Sequence, residues 1–151
     1  MVGEIPKSIG KIDSLEVMHL ARNLLNGTIP FNLGFCPSLK YLNLASNNLS
    51  GEIPASLSNA TSLEFLGLGS NLLSGEFPMP LFELFDGKLQ DLKLYKNNLT
   101  GNITINEIKE LKRFKSWSVE RLIRWIKPKI LNRNEHLQLV LEDGKITRDG
   151  D

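Results

Sequence analysis

The 151-residue chain is 41% hydrophobic with a formal net charge of +1, so it can bury one core and its overall charge favours no nucleic-acid partner. No apolar run reaches the length of about 18 residues that a membrane span needs, and the first residues lack the basic start and apolar stretch of a signal peptide. The chain opens in the middle of the repeat described next, so we expect it to be a fragment or a truncated gene product.

A block of about 24 residues recurs four times within residues 1–104, which is typical of a solenoid of stacked coils. Three apolar residues and an asparagine mark each copy, and a Gly-x-Ile-Pro-like segment follows at a fixed distance. The marked positions are Leu15, Met18, Leu20 and Asn23; Leu39, Leu42, Leu44 and Asn47; Leu63, Leu66, Leu68 and Asn71; and Leu89, Leu92, Leu94 and Asn97.

The last two apolar residues of each copy alternate with polar ones, which predicts a short strand with one buried face. One such strand cannot cover its apolar face, whereas stacked copies share a continuous core. The asparagine follows where the chain leaves the strand, and its amide can bond backbone groups that have no strand partner. We therefore predict a ladder of stacked asparagines: Asn23, Asn47, Asn71 and Asn97.

After each Ile-Pro-like segment the apolar period changes to three, which predicts a helical or 3₁₀ turn on the outer side of the coil. Cys36 occupies the column of Ile12, Ala60 and Leu84, which we interpret as an inward position. Its predicted role is that of a small buried hydrophobe, because no second ligand stands at metal-site spacing.

Residues 105–131 break the repeat and are strongly basic. Apolar residues at helical spacing predict one or two amphipathic helices over about 107–127, ended by Pro128. Three alternatives remain: a cap that buries Trp117 and Ile126 against the last coil, decayed repeats with Leu122 at the ladder position, or foreign sequence that is poorly ordered or membrane-adherent. Residues 132–151 predict a hairpin around Asp143-Gly144 and a charged, frayed end.

The motif Leu-x-x-Leu-x-Leu-x-x-Asn-x-Leu-x-Gly-x-Ile-Pro, matched at every signature position by residues 39–54, resembles the plant-type leucine-rich repeat. That family includes ectodomains of receptor-like kinases and receptor-like proteins, and secreted polygalacturonase inhibitors. The resemblance implies an α/β solenoid, a right-handed coil with a parallel concave sheet and a short second sheet. It also implies secretion, N-glycosylation and binding of peptide hormones, co-receptors or microbial proteins on the concave face.

Two departures from the family pattern stand out. The paired cysteines that usually flank the repeats are missing, since Cys36 is the single cysteine. Kinase motifs are also missing, so this chain could not signal by phosphorylation itself.

Variable positions between the strand leucines are predicted to point outwards on the concave face. We predict that Tyr41 and Phe65 are neighbours there, an exposed aromatic pair of the kind that anchors interfaces. Arg22, Lys93 and Lys96 could meet a carboxylate, whereas Gly67 and Gly69 leave room for a ligand backbone or reflect drift. The plain alternative is that these positions are merely solvated. The candidate ligand-binding residues are Val17, His19, Arg22, Tyr41, Asn43, Phe65, Asp91, Lys93, Tyr95 and Lys96.

Five Asn-x-Ser/Thr sequons map to columns predicted to be exposed, which favours N-glycosylation and a secretory-pathway origin. They are Asn26, Asn48, Asn59, Asn98 and Asn102. Neither His19 nor His136 has a Ser or Cys partner arranged for catalysis, and Gly67-Leu-Gly69 lacks the third glycine and the helix of a nucleotide loop. We expect no enzyme activity, no cofactor and no metal site.

The sequence thus predicts an extracellular or cell-surface recognition module that binds a peptide or protein ligand, and a co-receptor as a further partner, through its concave face. Alternatives are a polygalacturonase-inhibitor-like protein, against which four repeats count, and a truncated repeat scaffold without independent activity.

Overall fold

The computed structural model describes residues 1–141 and 146–147, which stack as successive coils of one solenoid. The strands are β1 (Val2–Glu4), β2 (Val17–His19), β3 (Leu24–Asn26), β4 (Tyr41–Asn43), β5 (Ser50–Glu52), β6 (Phe65–Gly67), β7 (Leu72–Ser74), β8 (Asp91–Lys93), β9 (Thr100–Thr104), β10 (His136–Val140) and β11 (Ile146–Thr147). The α-helices are α1 (Ile105–Lys109) and α2 (Val119–Ile126). The 3₁₀ segments are Lys7–Lys11, Phe31–Phe35, Ala55–Asn59, Met79–Asp86 and Lys112–Phe114.

A parallel sheet in the order β2-β4-β6-β8 forms one side of the solenoid, as the repeat predicts. Its strands pair without slippage, so that Tyr41 lies between Val17 and Phe65, and Phe65 also pairs with Asp91. The central residue of each strand points into the core and is buried. These central residues are Met18, Leu42, Leu66 and Leu92.

A second row of short strands runs along the side where each coil turns outwards. Strand β1 pairs with β3, β5 with β7, and β9 with β10, and isolated bridges join Thr28 to Ser50 and Glu76 to Thr100. Gly51 at the centre of β5 has φ of +77°, a conformation that favours glycine, which explains why the repeat keeps this residue. In the second row the central glycine of β1 and of β5 thus pairs with the central leucine of the next strand, Leu25 or Leu73.

The predicted asparagine ladder is present and joins each coil to its neighbours. The Asn71 side chain accepts a hydrogen bond from Leu49 N at 3.0 Å and donates to Leu44 O, Leu68 O and Gly69 O at 3.0, 3.1 and 3.3 Å. Asn47 and Asn97 repeat this pattern. Each amide satisfies backbone groups that the strands leave unpaired inside a nearly dry turn.

The outer side of each regular coil is a 3₁₀ segment rather than an α-helix. Each of these segments follows a proline, and in three successive coils the segment buries the leucine at the same position, namely Leu33, Leu57 and Leu81. Cys36 is fully buried as predicted, and burial together with nearby Asp13 raises the pKa of its thiol. Ile12, in the same column, is 43% exposed because the coil that carries it packs on one side only.

Residues 105–140 form a fifth, divergent coil. Helix α1 replaces the outer 3₁₀ segment and buries Ile105 and Ile108, after which the chain makes a detour through α2. The Ser118 hydroxyl caps α2 by accepting a hydrogen bond from Arg121 N at 3.1 Å. Helix α2 ends at Ile126, just before Pro128 as predicted, and a single π-helical turn, Lys127–Leu131, follows and contains the proline.

The fifth coil has its own ladder residue, Asn134, which is 2% exposed. Its side chain accepts from Leu99 N at 3.1 Å and donates to Leu94 O at 2.9 Å, the same two bonds that the regular coils make. Leu122, the residue assigned to the ladder in the decayed-repeat alternative, is instead a fully buried core residue of α2. That assignment was wrong because the α2 detour moves the ladder position along the sequence.

A cluster of aromatic residues packs the fifth coil against the fourth. Phe114 lies 5.5 Å from Phe85, 5.0 Å from Trp117 and 5.4 Å from Trp125, measured between ring centroids. Arg113 stacks on Phe85 at 5.0 Å and donates to Leu89 O at 2.8 Å. Of the two residues expected to pack against the last coil, Ile126 is fully buried and Trp117 is partly buried.

The final strands β10 and β11 pair antiparallel, with Leu139 opposite Thr147. The Asp143-Gly144 turn and the predicted frayed end, Asp143 to Asp151, lie outside the described residues apart from Ile146 and Thr147.

We predict that Asn71→Ala lowers the free energy of unfolding by about 2–4 kcal/mol, because Leu49 N and Leu44 O lose their partners inside the protein. Urea unfolding of the unglycosylated protein measures this. Asn48→Ala is the matched control, since Asn48 is exposed one residue after ladder residue Asn47, and it should change stability by less than about 0.5 kcal/mol. Equal effects of the two substitutions would contradict the ladder's role.

We also predict that Asn134→Ala loosens the fifth coil, because Leu99 N and Leu94 O then lack their side-chain partner. Native-state hydrogen exchange should show protection of the Leu99 amide falling at least about tenfold. Asn132→Ala, at an exposed position of the same segment, is the control. Unchanged Leu99 protection in Asn134→Ala would show that this residue is not part of the ladder.

Candidate ligand-binding face

The side chains on either side of each buried strand centre project from the concave sheet. The strand pairing forms two rows across the four strands: one row is Val17, Tyr41, Phe65 and Asp91, and the other is His19, Asn43, Gly67 and Lys93. Because the strands are parallel and in register, each row is continuous from one edge of the sheet to the other.

An aromatic stack occupies the middle of this face. The rings of Tyr41 and Phe65 lie 4.6 Å apart at an interplanar angle of 12°, as the sequence predicts for neighbours in one column. His19 extends the stack, with its ring 5.7 Å from that of Tyr41. Tyr41 and Phe65 are both partly exposed. The face therefore presents a preformed aromatic surface.

A charged cluster follows the stack at the carboxyl-terminal edge. The Lys93 ammonium lies 5.7 Å from the Phe65 ring centroid and 3.7 Å from Asp91 Oδ2. Lys129, from the fifth coil, donates a hydrogen bond to Asp91 Oδ1 and lies 5.4 Å from the Trp125 ring centroid. Two cations thus share one carboxylate beside an aromatic ring.

The other candidate residues have more varied positions. Val17 is 60% exposed at the first strand. Asn43 is partly committed to the fold, since its Oδ1 accepts from Ala45 N at 3.1 Å and its Nδ2 lies 3.4 Å from the Tyr41 hydroxyl. Arg22 and Lys96 have φ of 60° and 54° and lie in the left-handed turns that follow the strands, not in the strands themselves.

Arg22 cannot join Lys93 and Lys96 around one carboxylate. It follows β2, whereas the two lysines lie in and after β8, at the opposite edge of the four-stranded sheet. Three strand spacings separate these edges by about 14 Å. The basic candidates therefore belong to separate parts of the face.

Gly67 and Gly69 do not leave a gap for a ligand. A Cβ added at Gly67 would lie 2.8 Å from Phe65 Cε1, and one added at Gly69 would lie 2.6 Å from Tyr95 Cε2. The rings of Phe65 and Tyr95 instead occupy the space that a side chain at these two positions would fill. The expectation of open space at these positions was therefore wrong.

Lys129 and Pro128 are site residues that sequence reasoning missed. With Lys93 and Tyr95 they line a cleft of about 280 Å³ next to the charged cluster. Their sequence carries no repeat signature, and only the π-helical turn after α2 brings them to the concave face. No sequence signal would have indicated this placement.

The five sequon asparagines Asn26, Asn48, Asn59, Asn98 and Asn102 are all exposed, which an N-glycan requires. Glycosylation itself remains a prediction. Among the described residues, no helix combines the length and apolar character needed to cross a membrane.

Comparison with known proteins identifies the family. A leucine-rich repeat family model matches residues 11–73, while no curated protein matches the chain. A chain of the BIR3–SERK2 complex from Arabidopsis thaliana superposes with a TM-score of 0.71 at 30% identity, covering 99% of this chain and 69% of that one. The chain belongs to the plant-type leucine-rich repeat family.

Two further plant leucine-rich repeat structures are similar to the chain. The BIR2 ectodomain from Arabidopsis thaliana gives a TM-score of 0.71 at 31% identity, over 90% of this chain and 63% of that one. The ectodomain of the Arabidopsis receptor kinase HAESA was solved with an N-terminally extended IDA peptide hormone. It gives a TM-score of 0.75 at 33% identity, over 97% of this chain and 22% of that one. The leucine-rich repeats of this chain thus match less than a quarter of the HAESA ectodomain.

We predict that Gly67→Ala displaces the Phe65 ring and breaks its stacking on Tyr41, because the new methyl group would overlap Phe65 Cε1. Nuclear Overhauser contacts between the two rings measure the stack, and the urea midpoint reports whether the fold is retained. Undiminished contacts between Tyr41 and Phe65 in the variant would contradict the geometry described here.

Proposed function

We propose that this chain is a recognition module of a plant-type leucine-rich repeat receptor, which binds a peptide or protein ligand through its concave face and catalyses no reaction. The observation that carries the proposal is the stacked, partly exposed pair Tyr41 and Phe65 at the centre of that face. Large aromatic side chains are enriched among residues that dominate binding energy.

The surroundings of the pair support binding of an extended ligand. His19 lengthens the aromatic surface on one side, and Lys93 gives it a charged end on the other. Gly67 leaves space for the Phe65 ring, and the ring stacks on Tyr41, so little conformational entropy is lost when a ligand packs on it. A face that combines rigid aromatic area with a polar end suits a peptide better than a small apolar molecule.

Solved relatives give independent support. HAESA has been crystallised with the IDA peptide hormone and, in a second structure, with IDA and the co-receptor SERK1. BIR3 and SERK2 form a complex of two such proteins. By analogy we propose a peptide ligand for this chain, with a co-receptor as a further partner.

The same relatives support an extracellular or cell-surface location for the protein. The five exposed sequons agree with that location, because N-glycans are added in the secretory pathway and require accessible loops.

We predict that Tyr41→Ala combined with Phe65→Ala weakens binding of a selected peptide ligand at least about tenfold, because the anchoring aromatic surface is removed. Peptides selected from a random displayed library on the wild-type chain serve as probes, and isothermal titration calorimetry measures their dissociation constants.

Phe31→Ala combined with Phe35→Ala is the matched control, because these two residues form an exposed aromatic pair, 52% and 55% exposed, on an outer 3₁₀ segment. The control should bind like wild type. If the concave and outer double variants bind the selected peptides equally well, the concave face is not the binding site.

A further inference from the structure

We propose that Lys93 and Lys129 form a subsite for a ligand carboxylate, so that the module prefers a peptide with an acidic residue next to an aromatic or apolar one. This inference rests on the proposed function and names the ligand chemistry of the same face. The fifth coil is then part of the binding site, since it supplies Lys129.

The charge balance of the cluster leaves room for an anion. Lys93 and Lys129 both approach Asp91, so one negative charge faces two positive ones. The Lys93 ammonium is 3.7 Å from Asp91 Oδ2, which is longer than a hydrogen bond, and its side chain is 45% exposed. A second carboxylate would neutralise the remaining charge and accept the hydrogen bonds that Asp91 leaves unused.

The cleft provides the space for that carboxylate. Its volume of about 280 Å³ is bounded by Lys93 and Lys129 on the charged side and by Tyr95 and Pro128 on the apolar side. The lysine side chains are only partly solvated there, with Lys129 25% exposed, so an ion pair is screened less than on an open surface.

The main chain at Lys129 is fixed before any ligand arrives. Its carbonyl accepts a hydrogen bond from Leu94 N at 2.7 Å, and Asn132 O accepts one from Lys96 N at 2.8 Å. The Asp91 carboxylate also accepts from Leu92 N at 3.0 Å, which holds it in place between the two ammonium groups. The subsite is therefore preorganised by the stacking of the fifth coil on the fourth.

The position of the subsite relative to the aromatic stack determines the peptide pattern. Phe65 and Asp91 are paired residues of neighbouring strands, which lie about 4.8 Å apart. An extended peptide advances about 3.3 Å per residue. A side chain packed on Phe65 and an acidic side chain between the lysines therefore fall within about two residues of each other.

The test compares peptides selected from a random nine-residue displayed library on wild type, Lys129→Gln and Lys112→Gln. Lys112 is an exposed lysine of the 3₁₀ segment Lys112–Phe114, and its substitution removes the same charge elsewhere on the fifth coil. Dissociation constants are then measured for one selected peptide, for its Asp→Asn or Glu→Gln counterpart, and for both with free and amidated C-termini.

We expect wild type and Lys112→Gln to enrich Asp or Glu within two residues of an aromatic residue, and Lys129→Gln to lose that enrichment. The selected peptide should bind Lys129→Gln about tenfold more weakly, Lys129→Arg nearly as wild type, and Asp91→Asn more tightly because the competing carboxylate is gone. Sensitivity to amidation of the C-terminus, in place of the side chain, would identify the terminal carboxylate as the group bound in the same subsite.

Binding that depends on Tyr41 and Phe65 but shows no acidic preference would overturn the subsite and leave the proposed function standing. The subsite would also be overturned, and the proposed function left standing, if Lys129→Gln and Lys112→Gln select the same acidic peptides. Selection that yields no peptide dependent on Tyr41 and Phe65 would overturn the proposed function and the subsite together.

Discussion

Backbone groups at the turns of a solenoid must find partners from one coil to the next, and the asparagine ladder meets that constraint. Asn47 and Asn71 each bond to their own coil and to the preceding one, so neighbouring coils are fixed at one spacing and one register. Leucines fill the space inside, but apolar contacts are not directional and cannot set register alone. The ladder and the backbone pairing of the strands together align Tyr41 with Phe65 on the concave surface.

The fifth coil shows how strong this constraint is. Its sequence has lost the repeat, it contains an extra helix, and Pro128 lies inside a π-helical turn. Asn134 nevertheless makes the two inter-coil bonds of a ladder residue. The detour through α2 is accommodated because Phe114, Trp117 and Trp125 bury its apolar side against the fourth coil's Phe85. A coil of divergent sequence can thus stack on the regular coils as long as it keeps the turn that carries the ladder asparagine.

The concave face owes its properties to the same stacking. An isolated strand would leave Tyr41 and Phe65 with free rotamers, whereas in-register pairing places the rings 4.6 Å apart. The glycine at position 67 lets the Phe65 ring lie against the sheet. At the β8 edge of the sheet, Lys129 of the fifth coil lies beside Lys93 of the fourth. The face therefore changes from aromatic to charged along its length.

The sequence alone determined the coil, the ladder of Asn23, Asn47, Asn71 and Asn97, and the neighbouring positions of Tyr41 and Phe65, because a fixed period converts sequence distance into spatial adjacency. It could not determine what happens where the period ends. The ladder residue of the fifth coil is Asn134, not Leu122, and Lys129 belongs to the charged cluster. Both placements result from the packing of α2 and the π-helical turn against the fourth coil. The ring positions over Gly67 and Gly69 were likewise decided by side-chain packing between coils, which depends on three-dimensional contacts and leaves no periodic mark in the sequence.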